Sequence, residues 1–322
     1  MYKMCHKITV GNYKLLLLES VRIVRSVDTL ADTAEIVLPG MVHNEAIDIE
    51  DKIKVGDAVK IELGYNGRLR SEFEGYVQRI GTDGGNITIE CEDPIYKFRT
   101  GVKDKQYTSA DVKVILKDIC QQCGGFDLSC DYSFKYDKFV VRNATGFDVL
   151  RKIQDEVKPN IYLKGNTLHV HPKYSEIFGE AEYNFSRNIE GGGTDLEYRR
   201  KEDRKVLIVV IGEKKDGKKV QVEVGTTGGD RVTLHLPGVT DEASLRRLGE
   251  QALAERCYTG YSGSFNGWLW PYCDAGYKVS LVDPDYEYKN GTYYVTAVEV
   301  DYSKGGGKRT ITLGRRISAN NK

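Results

Sequence analysis

The chain has 322 residues, which is enough for about two or three domains with full hydrophobic cores. It carries 47 basic and 47 acidic side chains and a formal net charge of +0 at pH 7. This balance excludes a global attraction to nucleic acid or to an anionic membrane, so any binding has to come from a local surface.

Membrane insertion and secretion are also disfavoured. No apolar run approaches the roughly 20 residues that a membrane-spanning helix needs, and residues 1–14 lack the apolar segment and cleavage site of a secretory signal. The seven cysteines are irregularly spaced, which favours free thiols over a disulfide framework. We therefore expect synthesis in a reducing cytoplasm.

Residues 13–91 alternate apolar and polar side chains between turn signals, a pattern typical of antiparallel strands. The clearest hairpin joins VKIELGY to RLRSEFE through Asn66-Gly67, a dipeptide that accepts the positive φ angles of a type I′ turn. The next hairpin turns at Asp83-Gly84-Gly85. These strands predict an antiparallel barrel or sheet.

The hydrophobic period then becomes that of a helix, in YTSADVKVILKDICQQCGG. We expect its N-cap at Thr108 or Ser109 and its end at Gly124. Its apolar face contains residues three or four positions apart, namely Val112, Ile115, Leu116, Ile119 and Cys123.

A second helix is predicted in NATGFDVLRKIQDEVKP, with Thr145 as its N-cap and Pro159 at its end. Its apolar face contains Phe147, Leu150, Ile153 and Val157. The hairpin IYLKGNTLHVHP follows. Residues 98–174 are therefore predicted to form a small α/β unit between two β regions.

Strands resume after residues 188–194, whose three consecutive glycines predict a flexible joint. A long hairpin, RKVLIVVIGEKKDGKKVQVEV, precedes a helix in TDEASLRRLGEQALAERC. GEKKDGKK resembles a phosphate-binding loop, but a strand follows it where a helix N-terminus is needed, so we expect no nucleotide cofactor. Whether the hairpin tip contacts DNA, a neighbouring protein or only water stays open for its four lysines, Lys214, Lys215, Lys218 and Lys219.

The sequence contains an internal repeat. VGDAVKIEL…EGYVQRIGTDGGNITIE and AGYKVSLVD…NGTYYVTAVEVDYSKGGGKRTITLG share the same succession of glycine, apolar strand, glycine, longer strand, glycine-rich turn and Ile-Thr strand. Gly56 corresponds to Gly276, and Gly75 to Gly291. A sequence repeat indicates a repeated structural unit, so we expect two related barrels.

Two motifs suggest metal or redox chemistry. Cys120 and Cys123 form a C-x-x-C at the end of a predicted helix, where the helix dipole opposes a thiolate, so redox catalysis is disfavoured. His169 and His171 share one strand face and, with the two cysteines, would supply four zinc ligands. The competing interpretation is buried thiols and a polar hairpin face, and we expect no bound metal.

Aromatic residues concentrate in GSFNGWLWPYCDAGYKVSLV. Phe265, Trp268 and Trp270 suit a barrel wall or a subunit contact. The alternative is a glycan- or cell-wall-acting protein, with Trp268, Trp270 and Tyr272 as a sugar platform and Asp283 or Asp285 as its carboxylate. No catalytic-triad motif such as G-x-S-x-G occurs, which favours a protein without enzymatic activity.

The order of a helix, GWLWPYCDAGYKVSL and then GTYYVTAVEVDYSKGGGKRTITL resembles the C-terminal barrel of phage baseplate hub proteins of the late control protein D and Mu-type tail hub family. SVDTLADTAEIVLPG, IKVGDAVKIELGY and GYVQRI resemble the family's early strands. The chain departs from the family pattern at two places. Residues 274–276 stand where a Pro-Gly is common, and Glu299-Val300-Asp301 stands where a histidine often follows the Val-x-x-Val strand.

This resemblance implies an α+β, mainly antiparallel β fold with two tube-like barrel domains and an inserted α/β subdomain. The implied domains are residues 1–97, a first barrel; 98–174, the insert; 175–194, a return segment and linker; and 195–318, a second barrel with one helix.

The resemblance also implies a structural hub of a phage tail or related contractile injection device. Such hubs are homotrimers whose six barrels form a pseudo-sixfold ring between the tail tube or distal tail proteins and a central spike, with the tape-measure protein as a further contact. The location implied is the virion tail, after synthesis in the bacterial host cytoplasm. No specific nucleic-acid binding is expected.

Overall fold

The computed structural model describes residues 3–42, 45–46, 52–83, 85–213, 219–237 and 239–318. The strands of the N-terminal region are β1 (Met4–Val10), β2 (Tyr13–Leu15), β3 (Ser20–Ser26), β4 (Thr33–Pro39), β5 (Met41–Val42), β6 (Glu45–Ala46), β7 (Ala58–Tyr65), β8 (Arg68–Asp83) and β9 (Asn86–Glu92). Asn66 and Gly67 have positive φ angles of 51° and 79° between β7 and β8, which confirms the predicted hairpin.

The inserted unit contains two helices and five strands. They are β10 (Lys105–Asp111), α1 (Val112–Gln122), β11 (Asp127–Cys130), β12 (Lys135–Val141), α2 (Gly146–Val157), β13 (Asn160–Lys164) and β14 (Thr167–His171). Thr145 and Asp148 form a reciprocal capping box at the start of α2, which confirms the predicted N-cap.

The remaining elements follow the insert. They are β15 (Glu180–Asn184), β16 (Ile189–Thr194), β17 (Glu197–Arg199), β18 (Val206–Glu213), β19 (Lys219–Gly225), β20 (Asp230–Pro237), α3 (Glu242–Arg256), β21 (Gly260–Trp268), β22 (Lys278–Val282), β23 (Gly291–Ser303) and β24 (Gly306–Ser318). Among the described residues, no helix is long and apolar enough to cross a membrane.

Two local predictions are corrected. Thr108 and Ser109 do not cap α1, because both lie in β10, which pairs with β12; the cap is Asp111, whose side chain accepts a hydrogen bond from the Lys113 amide at 2.8 Å. Residues 188–194 are not a flexible joint, since β16 pairs with β21 through a bulged antiparallel ladder.

The same five-strand order occurs twice in the large sheet. β3-β4-β9-β8-β7 in the first half corresponds to β16-β21-β24-β23-β22 in the second, and every neighbouring pair is antiparallel. The internal repeat predicted from glycine spacing is thus confirmed as a repeat of strand order. We call these two units the first and second repeat.

The repeats agree in backbone detail. In the first, the Gly56 amide donates to the Val77 carbonyl at 2.8 Å; in the second, the Gly276 amide donates to the Val295 carbonyl at 2.9 Å. Both glycines have left-handed φ angles. The ladder register also shifts directly after each valine, at residues 77–79 and 295–297. These matches make Val77 equivalent to Val295 and confirm the correspondence of Gly56 with Gly276. The predicted correspondence of Gly75 with Gly291 is wrong, because the ladders place Gly75 at the position of Tyr293.

The ladders of the described strands do not close into a ring. The sheet runs from β16 at one end to β2 at the other. The fold is therefore mainly antiparallel β with helices, as expected, but the two closed barrels are not confirmed.

The buried apolar side chains form two clusters. One joins both repeats and contains Ile8, Ile23, Ile61, Phe265, Val295 and Ile311. The other contains the insert together with residues of β18, β19, β20 and α3, among them Leu116, Leu150, Ile208, Val222 and Leu245. The sequence did not indicate that the insert packs against β18, β19, β20 and α3, and the division into four segments stays a prediction.

Candidate assembly site

The two repeats meet where β3 pairs with β23. Residues of β3 lie opposite residues 297–303 in an antiparallel ladder, with Val24 opposite Glu299. Beside this pair, Arg22 Nε lies 2.6 Å from Glu299 Oε1. We call this ladder the internal joint. It places the edge strand of the first repeat on the long middle strand of the second, so that one sheet continues through both.

A buried arginine connects the same two repeats. Arg309, on β24, has a side-chain exposure of 0%. Its Nη2 donates to Glu72 Oε1 on β8 at 2.7 Å, and its Nη1 donates to the Cys273 carbonyl at 2.9 Å. A guanidinium removed from water requires such partners, because an unpaired buried charge is strongly unfavourable.

A second arginine approaches the same carboxylate. Arg25, on β3, donates to the main-chain carbonyl of Glu72, and its Nη2 lies 3.4 Å from Glu72 Oε2. Its Nε lies 2.7 Å from Asp274 Oδ1. Burial lowers the pKa of Arg25, but the nearby Asp274 and other anionic groups raise it more, so its net pKa is raised and the side chain stays protonated. We call Arg25, Glu72, Asp274 and Arg309 the buried ion cluster.

Tyr272 links this cluster to the surface. Its hydroxyl donates to Asp274 Oδ2 at 2.8 Å. The guanidinium carbon of Arg70 lies 3.6 Å from the centre of the Tyr272 ring and 6.0 Å from that of Trp270. The stack therefore leads outward from buried charges to an exposed tryptophan.

Trp268 and Trp270 are exposed rather than part of a core, with exposures of 58% and 44%, whereas Phe265 is fully buried. The two tryptophans border a groove of about 1010 Å³, which we call the tryptophan groove. Its other lining residues include Met4, Tyr65, Arg68 and Lys304. Exposed tryptophans beside arginines are typical of binding surfaces.

The carboxylates proposed for a sugar site lie elsewhere. Asp283 accepts hydrogen bonds from the amides of Asp285 and Tyr286 and from the Tyr261 hydroxyl, at 3.0 Å, 3.1 Å and 3.2 Å. Tyr261 is the second residue of β21 and Trp268 the last, a separation of roughly 24 Å along an extended strand. Asp283 therefore stabilises a turn and does not face the tryptophan groove.

The candidate metal ligands do not form a ligand set. Among the described residues, no group of three or more His, Cys, Asp or Glu is arranged to hold a metal ion. His171 instead pairs with Asp131 at 2.6 Å, and His169 stacks on Tyr162 with ring centres 4.8 Å apart. Burial raises the pKa of Cys120 to about 12, so this thiol is not a nucleophile at neutral pH.

Three of the four lysines of the hairpin tip, Lys214, Lys215 and Lys218, lie outside the described residues. Lys219 is exposed at the start of β19. No role for the tip follows from this position.

The sequence did not single out the buried ion cluster. A signal was nevertheless present in the period of the strands. Arg309 shares one face of β24 with Ile311 and Leu313, and Arg25 shares one face of β3 with Ile23. A charged residue at an inward strand position indicates a buried partner.

Comparison with solved structures finds this fold in tail proteins. The 43 kDa tail protein of prophage MuSo2 from Shewanella oneidensis matches with a TM-score of 0.64 and 13% identity, over 96% of this chain and 97% of that protein. The tail protein of Neisseria meningitidis MC58 matches with a TM-score of 0.63 and 16% identity, over 98% and 97%. This chain therefore shares the fold of these tail proteins, as the predicted resemblance implied.

A component of the Escherichia coli type VI secretion system, described as structurally similar to bacteriophage T4 tail proteins, matches with a TM-score of 0.57 and 8% identity, over 99% of this chain and 80% of that protein. No family model and no curated protein sequence matches the chain.

Proposed function

We propose that the protein is a structural hub of a phage, prophage or related contractile tail, without enzymatic activity. The observation that carries this proposal is the repeated strand order, joined edge to edge by the internal joint. A chain with two similar modules presents two similar faces, and three such chains present six.

In the proposed assembly, three copies form a closed ring by heterologous contacts whose rotation returns to its start. The six tube-like modules give the ring pseudo-sixfold symmetry, which matches a hexameric tail tube, while the true threefold symmetry matches a trimeric spike. Tail-tube or distal tail proteins and the spike are the proposed partners, with the tape-measure protein as a further contact, in the virion tail.

The expected mass tests the ring. The purified chain alone is expected to have three times the 36.2 kDa chain mass by light scattering, and in a complex with a co-expressed spike protein it is expected to contribute three copies. Particle images should then show a ring around a central opening. A mass of one chain at high concentration, with and without the spike, contradicts the trimer.

The tryptophan groove provides a test against the glycan alternative. The Trp268→Ala/Trp270→Ala variant is expected to keep the thermal midpoint of the parent within a few degrees, because both side chains are exposed. We expect it to weaken co-purification with the tail tube or the spike by tenfold or more, since exposed tryptophans often dominate interface affinity.

Glycan-array binding distinguishes the two functions in the same variant. The hub proposal predicts no glycan signal for either protein. A glycan signal of the parent chain that disappears in the variant, with both tail partners still bound, favours the sugar platform instead. The Tyr286→Ala variant is a control, because this exposed ring lies beyond the far end of β21.

A further inference from the structure

The equivalence of the two repeats identifies a strand edge that has no partner among the described residues. In the second repeat, residues 297–303 of β23 pair with β24 on one side and with β3 on the other. Because Val77 corresponds to Val295, residues 297–301 are equivalent to residues 79–83, the last five residues of β8. These residues pair with β9 on one side, and no ladder is found on the other side within the described part of the chain.

Exposure of the side chains agrees with this difference. Val298 in β23 is 1% exposed beneath the internal joint. Its equivalent, Ile80, is only partly buried, and Gly81 and Thr82 are exposed. A position for a Cβ at Gly81 has no heavy atom within 4 Å. The outer edge of β8 is thus open where the corresponding edge of β23 is covered.

The strand equivalent to β3 is also open at its outer side. In the first repeat β3 pairs with β4, and in the second β16 and β17 take the place of β3 and pair with β21. Comparison of the ladder registers makes Val24 equivalent to Glu197. Neither β16 nor β17 has a second ladder within the described residues. The internal joint pairs the edge of β3 with the edge of β23. Within the described residues, the equivalents of these two edges, on β16 and β17 and on β8, are both unpaired.

We propose that residues 194–199 of one copy of this chain add as a strand to residues 79–83 of β8 in a second copy. The inference rests on the proposed hub function and names the surface through which its copies join. The occupant is a second copy because the internal joint already contains the equivalent contact. The two open edges of one chain do not meet, because β16 is the first strand in the order of the sheet and β8 is the eighth.

The internal joint also gives the register. Val24 lies opposite Glu299, so Glu197 should lie opposite Gly81 of the second copy. By the same equivalence, Leu196 should lie opposite Thr82. Tyr198 should lie opposite Ile80 and cover this partly buried side chain. Glu197 then lies diagonal to Arg79, as Arg22 lies diagonal to Glu299 in the internal joint. The same register places Arg79 opposite Arg199 and Asp83 opposite Asp195, and these like-charged pairs oppose the contact.

The contact would remove two exposed edges that otherwise invite uncontrolled strand pairing. Because the two edges are different surfaces, the contact is heterologous and continues from copy to copy until it closes. The three glycines of residues 191–193 and the bulge in β16 limit regular pairing before Thr194, which confines the joint to residues 194–199.

Disulfide trapping between chains tests the proposal. Two differently tagged full-length chains, one Gly81→Cys and the other Glu197→Cys, are co-expressed, purified together and oxidised. Residues directly opposite in an antiparallel ladder have Cα atoms about 4.5–5.5 Å apart, which suits a disulfide. We expect about half of the chains to be cross-linked, which is the limit for random assembly of two variants into closed trimers, with the 81–197 peptide pair identified by mass spectrometry. Neither variant alone should form an 81–81 or 197–197 disulfide.

The control pairs Gly81→Cys with Glu223→Cys, an exposed strand residue of β19 outside the proposed joint, and should give no cross-link. A preparation with the mass of three chains but without the 81–197 link overturns this inference and leaves the hub function standing. An 81–81 link shows a twofold contact and likewise overturns it. A chain that stays at 36.2 kDa, alone and with the spike protein, overturns both.

Discussion

Replacing Glu72 with glutamine is expected to lower the free energy of unfolding by about 3–5 kcal/mol. Glu72 is the carboxylate that Arg25 and Arg309 share, and its side chain is 2% exposed. When Glu72 loses its charge, Asp274 is the only anion left in the buried ion cluster for two buried guanidinium groups. Urea denaturation of the purified chain measures the change.

The matched control is Glu90→Gln. Glu90 pairs with Arg79 on the same sheet, but the Arg79 side chain is 71% exposed, so solvent screens the pair and a much smaller effect is expected. Equal shifts in the two variants would contradict a special role for the buried ion cluster. If Glu72→Gln does not fold, Glu72→Gln/Arg309→Met tests the same point, because it removes the unpaired charge as well and should recover part of the lost stability.

Replacing Gly263 with alanine is expected to lower the free energy of unfolding by about 2–5 kcal/mol. Gly263, on β21, has a φ of +114°, which L side chains rarely adopt. A Cβ there would lie 2.1 Å from the carbonyl oxygen of Asp195. Since this oxygen belongs to the main chain, relief requires residues 194–199 to move away from β21.

The control is Gly81→Ala, where φ is ordinary and a Cβ has open space. Its stability should stay close to that of the parent chain. Because residues 194–199 form one side of the proposed joint, Gly263→Ala should also abolish the 81–197 cross-link. Parent-like denaturation together with retained cross-linking would contradict the position assigned to this segment.

Local chemistry made several elements predictable from the sequence. The Asn66-Gly67 turn and the Thr145 cap depend on residues that are adjacent or three positions apart, so their signals lie within a short window. The repeat of strand order was predictable because both copies keep glycines at equivalent turns, such as Gly56 and Gly276.

Tertiary contacts decided the elements that were predicted wrongly. Thr108 and Ser109 have good capping side chains, but pairing of β10 with β12 places them in a strand. Residues 188–194 have the composition of a linker, yet β21 offers them a ladder. In both cases a distant strand overrides the local preference.

The candidate site was invisible for a related reason. Glu72 and Arg309 are 237 positions apart, and Arg25 and Glu72 are 47 apart. Arginine is rarely buried, so composition and periodicity assign such residues to the surface. The open edges of β8 and of β16 and β17 were equally hidden, because an edge is defined by the strand that is missing beside it.

The internal joint has a consequence for the motions of the chain. Its antiparallel ladder extends over the length of β3, and slipping by one residue would turn each buried side chain outward. The two repeats should therefore move as one rigid body. Amide protons of β3 and β23 should be among the slowest to exchange with deuterium. We expect slow opening motions mainly in the second apolar cluster, which contains the insert and α3. This cluster can move relative to the two repeats without breaking the ladder of the internal joint.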